Sequence, residues 1–308
     1  MSDDQPDMTR ERARSERRDL DKERGEPLAG GAARGGPRAL TKMARPLGEW
    51  TSRPRILVTN DDGVAAPGLA ALVDALQTLP DVEVTVIAPA TNQSGVGDKY
   101  STTPVTVAPA TTANGDPATA VSGTPADSVL YAIQAGMALP PHVVVSGTNF
   151  GQNLGDITSV SGTVGAARTA NRLGVPAIAV SAGFGAAIAG SYALGGSFAA
   201  GWISYFRSTY LDETTVPRTL NVNVPTCGSG GVRGIRAYPL GRQQSVTGYS
   251  LTSGVVGNGT FTPTLTSKSV LNQNIDCTSS ATSFDNDIDA FNNGFISVTA
   301  INPDLTDQ

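Results

Sequence analysis

The chain has 308 residues, 39% of them apolar, and a formal net charge of −5, which is enough apolar material for a core in one large domain or two. Residues 1–50 hold 11 of the 22 Lys and Arg and 10 of the 27 Asp and Glu, so the remainder carries a charge of −6. An acidic body without basic clusters argues against a long nucleic acid as partner, and no apolar run reaches the roughly 20 residues that cross a membrane.

Residues 1–50 mix charges with Gly, Pro and Arg and have no sustained apolar period. Such a composition cannot offset the entropy of ordering, so we expect a disordered charged extension, followed by one domain over residues 51–308. The extension contains no apolar segment of signal-peptide type, which favours a cytoplasmic location. Cys227 and Cys277 leave two alternatives open, free thiols or a bridge, and a bridge together with the polar C-terminal region would favour secretion.

From Arg55 onwards, apolar strand patterns alternate with amphipathic helix patterns. The predicted strands are RILVT, VEVTVIA, HVVVS and VPAIAVS, and the predicted helices are PGLAALVDALQTL, TPADSVLYAIQAGMAL, SGTVGAARTANRLG and one within SYALGGSFAAGWISYFRSTY. This alternation predicts an α/β fold with a mostly parallel sheet and flanking helices over about residues 54–210. Ligands of such sheets bind beyond the carboxyl ends of the strands.

After residue 210 the sequence becomes β-rich. It contains TLNVNVP, GIRAYPL, a Ser/Thr/Gly/Asn-rich stretch at 243–283 and a closing GFISVTA. We expect a C-terminal β-hairpin region and closing segment over residues 211–308, with TLNVNVP and GIRAYPL in hairpins rather than in a second α/β unit.

The motif Asn60-Asp61-Asp62-Gly63 directly follows the first predicted strand. Two adjacent carboxylates repel each other unless a cation lies between them, and hard oxygen ligands suit Mg²⁺ or Mn²⁺. The same residue types are common in tight turns, and alone the motif is more often a plain strand-to-helix turn.

Three further polar loops follow predicted strands or open a predicted helix. They are Asn92-Gln93-Ser94-Gly95, Ser146-Gly147-Thr148-Asn149 and Ser161-Gly162-Thr163. Each has a plain explanation as a turn or a cap, but four such loops at one sheet edge predict a common pocket. Glycines let backbone N–H groups approach a ligand closely, and the helix that opens at Ser161 offers its unpaired N–H groups to a phosphate.

Two other motifs are interpreted as structural. Ser122 to Asp127 has the form of a capped helix start, with Thr124 as N-cap and Pro125 in the first turn. His142 begins a strand at the end opposite the expected site. This placement, together with the lack of a Gly-x-Ser-x-Gly elbow, argues against a hydrolase with a Ser-His-Asp triad. The sequence lacks the glycine motifs that bind dinucleotides and nucleoside triphosphates, which argues against a dehydrogenase or an NTPase. One His and two Cys are too few ligands for a zinc site of the usual kind.

Six ordered blocks carry a resemblance to a known family: ILVTNDDGVAAPGLAALVDAL, APATNQSG, VSGTPADSV, VVVSGTNFGQNLG, SGTVGAA and GVPAIAVS. Over residues 55–182 the chain resembles the SurE family of stationary-phase survival phosphatases. The resemblance implies a Rossmann-like α/β fold and hydrolysis of nucleoside 5′- and 3′-monophosphates with a divalent metal, Mg²⁺ or Mn²⁺. The segments 1–50 and 243–283 depart from the family's pattern.

The resemblance also implies roles for individual residues. The metal ligands correspond to Asp61, Asp62, Ser94 and Asn149, of which Asp61 and Asp62 are also the catalytic pair. The phosphate- and substrate-binding residues correspond to Asn60, Gly63, Asn153, Ser161, Gly162 and Thr163. Family members generally assemble through an exchanged C-terminal hairpin, so we expect a homodimer or homotetramer with residues 211–270 at the interface.

Two other classes of function remain open at this point. Ser161 or Ser94 could serve a serine esterase, whose activity would survive chelation by EDTA. The Ser/Thr/Asn-rich C-terminal region could instead belong to a non-catalytic nucleotide-binding or cell-surface module.

Overall fold

The computed structural model describes residues 53–185, 188–209, 219–242, 246–265 and 275–303. The expected extension at 1–50 lies outside these residues. The helices are α1 (Pro67–Gln77), α2 (Pro125–Tyr131), α3 (Gly162–Arg172), α4 (Ile188–Thr209) and α5 (Asp287–Asn292). The strands are β1 (Arg55–Thr59), β2 (Glu83–Pro89), β3 (Val107–Thr111), β4 (Pro117–Val121), β5 (Val143–Phe150), β6 (Ala177–Ala182), β7 (Thr219–Val224), β8 (Ile235–Ala237), β9 (Val246–Val255), β10 (Asn258–Leu265) and β11 (Ile296–Ile301).

Nine of the strands form one sheet, in the order β3-β4-β2-β1-β5-β6-β7-β11-β8. Strands β2, β1, β5, β6 and β7 run parallel to one another. Strand β3 is antiparallel to β4, and β11 is antiparallel to β7. Strand β4 is also parallel to β2. The predicted α/β fold with a mostly parallel sheet is therefore confirmed, and the carboxyl ends of these six parallel strands lie along one edge.

Strand β1 shows why helices cover both faces of this sheet. Ile56 and Val58 pack into a core cluster with residues of α1 and α4, whereas Leu57 packs into a second cluster with residues of α2 and α3. All three side chains are fully buried. Because successive side chains of a strand point to opposite faces, a continuous apolar run needs cover on both sides.

Helices α1 and α2 begin where the sequence predicts. Pro67 opens α1, and a Cβ atom on Gly68 would overlap the backbone oxygen of Thr148, so glycine lets this helix approach β5. Thr124 caps α2 in a capping box: its hydroxyl accepts the Asp127 N–H, and the Asp127 carboxylate accepts the Thr124 N–H at 2.8 Å. The structural interpretation of this motif is confirmed.

The interpretation of TLNVNVP and GIRAYPL as hairpin strands is wrong. TLNVNVP supplies β7, which pairs in parallel with β6, and GIRAYPL supplies β8, which pairs in parallel with β11. Both belong to the main sheet, and Val222 of β7 is as fully buried as the flanking Asn221 and Asn223. Strand β7 has neighbours on both edges, β6 and β11, so it lies inside the sheet rather than in a hairpin. The hairpin expected within 243–283 is present as β9 and β10, which form a separate two-stranded sheet.

The structure pairs Cys227 with Cys277, so the bridge is observed rather than two free thiols. Their Cα atoms lie 5.7 Å apart, and 50 positions separate them in the sequence. Within the described ranges, no helix combines the length and the apolar character that crossing a membrane requires.

Candidate active site

The turn after β1 is shaped by its own first and last residues. The side chain of Asn60 accepts the Gly63 N–H at 3.2 Å and donates to the Gly63 carbonyl oxygen at 2.9 Å. Gly63 has a φ of 107°, a conformation that favours glycine. Both polar atoms of the Asn60 side chain are thus engaged within the turn, which presents Asp61 and Asp62 at its tip. Contact of Asn60 and Gly63 with a substrate stays a prediction.

Asp61 is buried against the first turn of α3. The Thr163 hydroxyl donates to its Oδ1 at 2.6 Å, and a Cβ on Gly162 would lie 2.7 Å from the Asp61 Cβ. Burial raises the pKa of the Asp61 carboxyl, and this rise is opposed by the Thr163 hydroxyl and by the backbone N–H groups of Gly162 and Thr163. The N-terminus of α3 therefore stabilises the negative charge of Asp61.

Asp62 contacts the end of β5, whereas Asp61 contacts α3. The Asp62 Oδ2 accepts the backbone N–H of Phe150, the last residue of β5, at 2.8 Å. Burial, followed by the neighbouring charge of Asp61, raises the pKa of Asp62 to about 6. The pKa of Tyr192 on α4 is raised to about 12 by burial and by the charge of Asp62, which places this phenol near the same carboxylate. For both acids the effect of burial on the pKa is therefore larger than that of the hydrogen bonds, which favour the charged form.

The loop after β2 is tied to both acidic residues. The Gln93 N–H donates to the backbone oxygen of Asp61 at 2.7 Å, and the Asn92 amide donates weakly to Asp62 at 3.4 Å. The Ser94 N–H in turn donates to the Asn92 side chain at 2.9 Å. Ser94 is exposed and is connected to Asp62 through Asn92, and its role as a metal ligand stays a prediction.

Asn149 follows the neighbouring strand β5 and is buried. Its side-chain nitrogen donates to the Gly151 carbonyl oxygen at 2.6 Å. The side-chain oxygen, at the other corner of the amide, is therefore directed away from that carbonyl. This orientation makes the Asn149 oxygen the atom that a cation could use.

The backbone of Asn153 is hydrogen-bonded to the side chains of two asparagines of β7. Asn223 accepts the Asn153 N–H at 2.6 Å, while the side-chain nitrogens of Asn221 and Asn223 donate to its carbonyl oxygen at 2.7 and 3.1 Å. The Asn153 amide nitrogen donates to the Ser181 hydroxyl at 2.8 Å. The structure thus connects this predicted substrate residue to β6 and β7, and its contact with substrate stays a prediction.

Ser161 serves as the N-cap of α3, where its hydroxyl accepts the Val164 N–H at 3.1 Å. A serine esterase would need a base near such a hydroxyl. The chain's one histidine, His142, instead accepts the Arg55 N–H at 2.9 Å at the amino-terminal ends of β1 and β5. The structural interpretation of His142 is confirmed, and a Ser-His esterase at Ser161 has no support from this geometry.

Sequence reasoning missed three contributors to the site. Phe150 carries the N–H that holds Asp62, Tyr192 lies near the same acid, and Asn223 positions Asn153. Of these three, only Asn223 could have been found from the sequence. The alternating asparagines of TLNVNVP indicate a strand with one polar face, because residues at every second position share a face. In the described part of the chain, no three His, Cys, Asp or Glu side chains group together as a metal site, so a cation at Asp61 and Asp62 would also need neutral oxygen ligands.

Comparisons with known proteins identify a family and several similar sequences. The family profile described as "Survival protein SurE" matches residues 56–247. The chain is 35% identical over 198 residues to "5'-nucleotidase SurE" of Symbiobacterium thermophilum, a match that covers 61% of this chain and 72% of the relative. It is 38% identical over 187 residues to "5'/3'-nucleotidase SurE" of Salmonella newport, covering 61% and 70% of the two chains.

A solved structure is similar over a longer span. "Crystal Structure of Sure Protein from Aquifex aeolicus" superposes with a TM-score of 0.66 at 28% sequence identity, covering 82% of this chain and 95% of that chain. The family profile matches more than half of the sequence, and its span contains all the residues of the site described above. The chain therefore belongs to the SurE family.

Proposed function

We propose that the chain is a phosphomonoesterase that hydrolyses nucleoside 5′- and 3′-monophosphates with Mg²⁺ or Mn²⁺ at Asp61 and Asp62. The observation that carries this proposal is the pair of adjacent, largely buried carboxylates at the carboxyl edge of the parallel sheet, next to the N-terminus of α3. Such an edge is where α/β proteins bind ligands. The names of the SurE relatives support the same reaction.

The residues present fit a divalent metal. Asp61, Asp62, Ser94 and Asn149 offer carboxylate, hydroxyl and amide oxygens, the hard ligands that Mg²⁺ and Mn²⁺ prefer. Burial raises the pKa of both carboxyls, and a nearby cation would favour their charged forms again. A metal of this kind, when bound, neutralises phosphoryl charge and lowers the pKa of a coordinated water.

The chain's own residues supply position and electrostatics. Thr163 and the first N–H groups of α3 hold the Asp61 carboxylate in one orientation, and the Phe150 N–H holds that of Asp62. Fixed carboxylates of this type orient or deprotonate the attacking water without reorganising during the reaction. The positive end of the α3 dipole lies at the same place and favours an anion such as phosphate there.

The first experiment measures phosphate release from AMP and p-nitrophenyl phosphate with Mn²⁺, before and after addition of EDTA. We expect turnover that EDTA abolishes, and Asp61→Asn or Asp62→Asn to remove most of it with the fold intact, because an amide lacks the charge that holds a divalent ion. Asp74→Asn is the matched control, since Asp74 is an exposed acid on α1. Activity that survives EDTA, or full activity of either site variant at saturating metal, would contradict the proposal.

We further propose that the chain forms a homodimer or homotetramer in which the β9–β10 hairpin packs on another copy. The hairpin exposes large apolar side chains, among them Tyr249, Val256 and Phe261. A two-stranded sheet is marginally stable by itself, and clustered exposed apolar residues mark interfaces. Light scattering tests this: a mass that stays at 31.5 kDa as the concentration rises would reject the assembly.

A further inference from the structure

We propose that Phe150 and Phe184 form a stacking platform for the nucleobase of the substrate, so that the enzyme prefers nucleotides to phosphoesters without a base. This inference rests on the proposed function. Phe150 is the last residue of β5, and 53% of its surface is exposed although its backbone N–H holds the catalytic Asp62. Phe150 thus presents a large apolar side chain to solvent next to a polar, acidic site, where a ligand with an apolar part could contact it.

The two rings are fixed relative to each other. Their centroids lie 5.3 Å apart and their planes meet at 77°, so that the edge of one ring meets the face of the other. Phe184 follows β6, and its N–H donates to the Gln152 side chain at 3.2 Å. Gly151 completes the arrangement, because a Cβ at this position would lie 2.6 Å from the Phe184 Cε1. Glycine at 151 thus lets the Phe184 ring lie directly on the backbone and support Phe150.

The arrangement leaves aromatic surface free for a third ring. An edge-to-face pair covers one part of each ring, and half of the Phe150 surface remains open to solvent. Every nucleobase has a π-face, so an aromatic side chain can stack on any of the bases. Phe150 is also the residue whose backbone N–H contacts Asp62, at 2.8 Å, so its side chain starts next to the acid that would hold the phosphate through the metal. A base attached through its ribose to a phosphate at Asp62 would reach this ring.

The platform gives substrate discrimination without a hydrogen bond to the base. The phosphate and the metal ligands would treat every phosphomonoester alike. Stacking on Phe150 would then add binding energy only for substrates that carry a base, and would add it for purines and pyrimidines alike. We expect this contribution to appear in KM, since the base takes no part in the bonds that form and break.

The test compares AMP with ribose 5-phosphate, which has the same phosphate and sugar but no base, in assays with Mn²⁺. In Phe150→Ala, KM for AMP should rise about 5- to 150-fold more than KM for ribose 5-phosphate. Phe150→Tyr should keep the wild-type ratio of the two KM values, because it retains an aromatic face. Tyr205→Ala is the matched control: Tyr205 is a 62% exposed aromatic on α4, about 20 Å along the helix from Tyr192, and its loss should leave the ratio unchanged.

The possible outcomes separate this inference from the proposed function. Equal changes in the two KM values in Phe150→Ala, or a wild-type enzyme that does not favour AMP, would overturn the stacking platform while the phosphatase stands. A wild-type enzyme that hydrolyses neither substrate with Mn²⁺ would overturn both. If Phe150→Ala does not fold, Phe184→Ala and Phe150→Leu replace it, since each weakens the aromatic surface with a smaller local change.

Discussion

The Thr163 hydroxyl donates to the Asp61 carboxylate at 2.6 Å, although 102 positions separate the two residues in the sequence. The resemblance to the SurE family implies that Thr163 binds phosphate. In the structure its hydroxyl contacts the catalytic acid, and this hydrogen bond lowers the pKa of Asp61 against the effect of burial. Thr163 thus has the geometry of a residue that positions Asp61.

The first prediction concerns Thr163→Val, which keeps the shape of the side chain but removes the hydroxyl. A hydrogen bond to a charged group is worth about 1.5–3 kcal/mol, so we expect kcat/KM to fall by about tenfold or more. Without this bond the pKa of Asp61 rises further, and the acidic limb of the pH–rate profile should move to higher pH. Thr163→Ser, which retains the hydroxyl, should keep the wild-type profile. An unshifted acidic limb in Thr163→Val would show that the bond does not control Asp61.

The second prediction concerns Ser94→Ala. A neutral hydroxyl ligand can be replaced by water, so the variant should bind metal more weakly yet reach a maximal rate close to that of the wild type. We expect the Mn²⁺ concentration for half-maximal activity to rise about tenfold, equivalent to roughly 1.4 kcal/mol. Ser197→Ala is the control, because its hydroxyl donates to the Ala193 carbonyl oxygen within α4. A Mn²⁺ titration that superimposes on the wild-type curve would remove Ser94 from the metal site.

The third prediction concerns the Cys227–Cys277 bridge. A cross-link across 50 positions restricts the unfolded chain, and loop-closure entropy predicts a stabilisation of about 4 kcal/mol. The double variant Cys227→Ser with Cys277→Ser should therefore unfold at a lower urea concentration than the oxidised protein. A reductant should lower the midpoint of the wild type and leave that of the variant unchanged. Equal midpoints for the oxidised and reduced wild type would show that the bridge does not stabilise the fold.

The fourth prediction concerns the buried Asp287 of α5, whose carboxylate accepts the Gly155 N–H at 3.0 Å and the Gly241 N–H at 2.7 Å. Burial raises the pKa of Asp287 to about 6 from an ordinary value of 3.8. The folded state therefore binds this proton more tightly than the unfolded state does. The contribution of Asp287 to the free energy of unfolding should be largest at about pH 4, fall as the pH rises towards about 6, and then level off.

Asp287→Asn removes this titration and provides the comparison. Between pH 4 and pH 7, the free energy of unfolding of the wild type relative to the variant should decrease by up to about 3 kcal/mol. Urea unfolding of both proteins across this pH range measures this difference in free energy. The contributions of titrating groups that both proteins share cancel in the difference. A difference that stays constant, or that grows with pH, would contradict the raised pKa.

The sequence by itself determined the features that depend on neighbouring residues. The apolar run RILVT with Asn60-Asp61-Asp62-Gly63 directly after it fixed both β1 and the position of the two acids. The Thr124 to Asp127 capping box fixed the start of α2. These features follow from backbone preference and local hydrogen bonds, which involve residues only a few positions apart.

Only the tertiary structure decided which distant segments meet. It placed β7 and β8 in the main sheet, although TLNVNVP and GIRAYPL were expected in hairpins, and it buried Asn221 and Asn223 against Asn153. It also brought the Phe150 N–H to Asp62 across 88 positions. Contacts of this kind result from the packing of whole helices and strands, so neither residue type nor spacing reveals them.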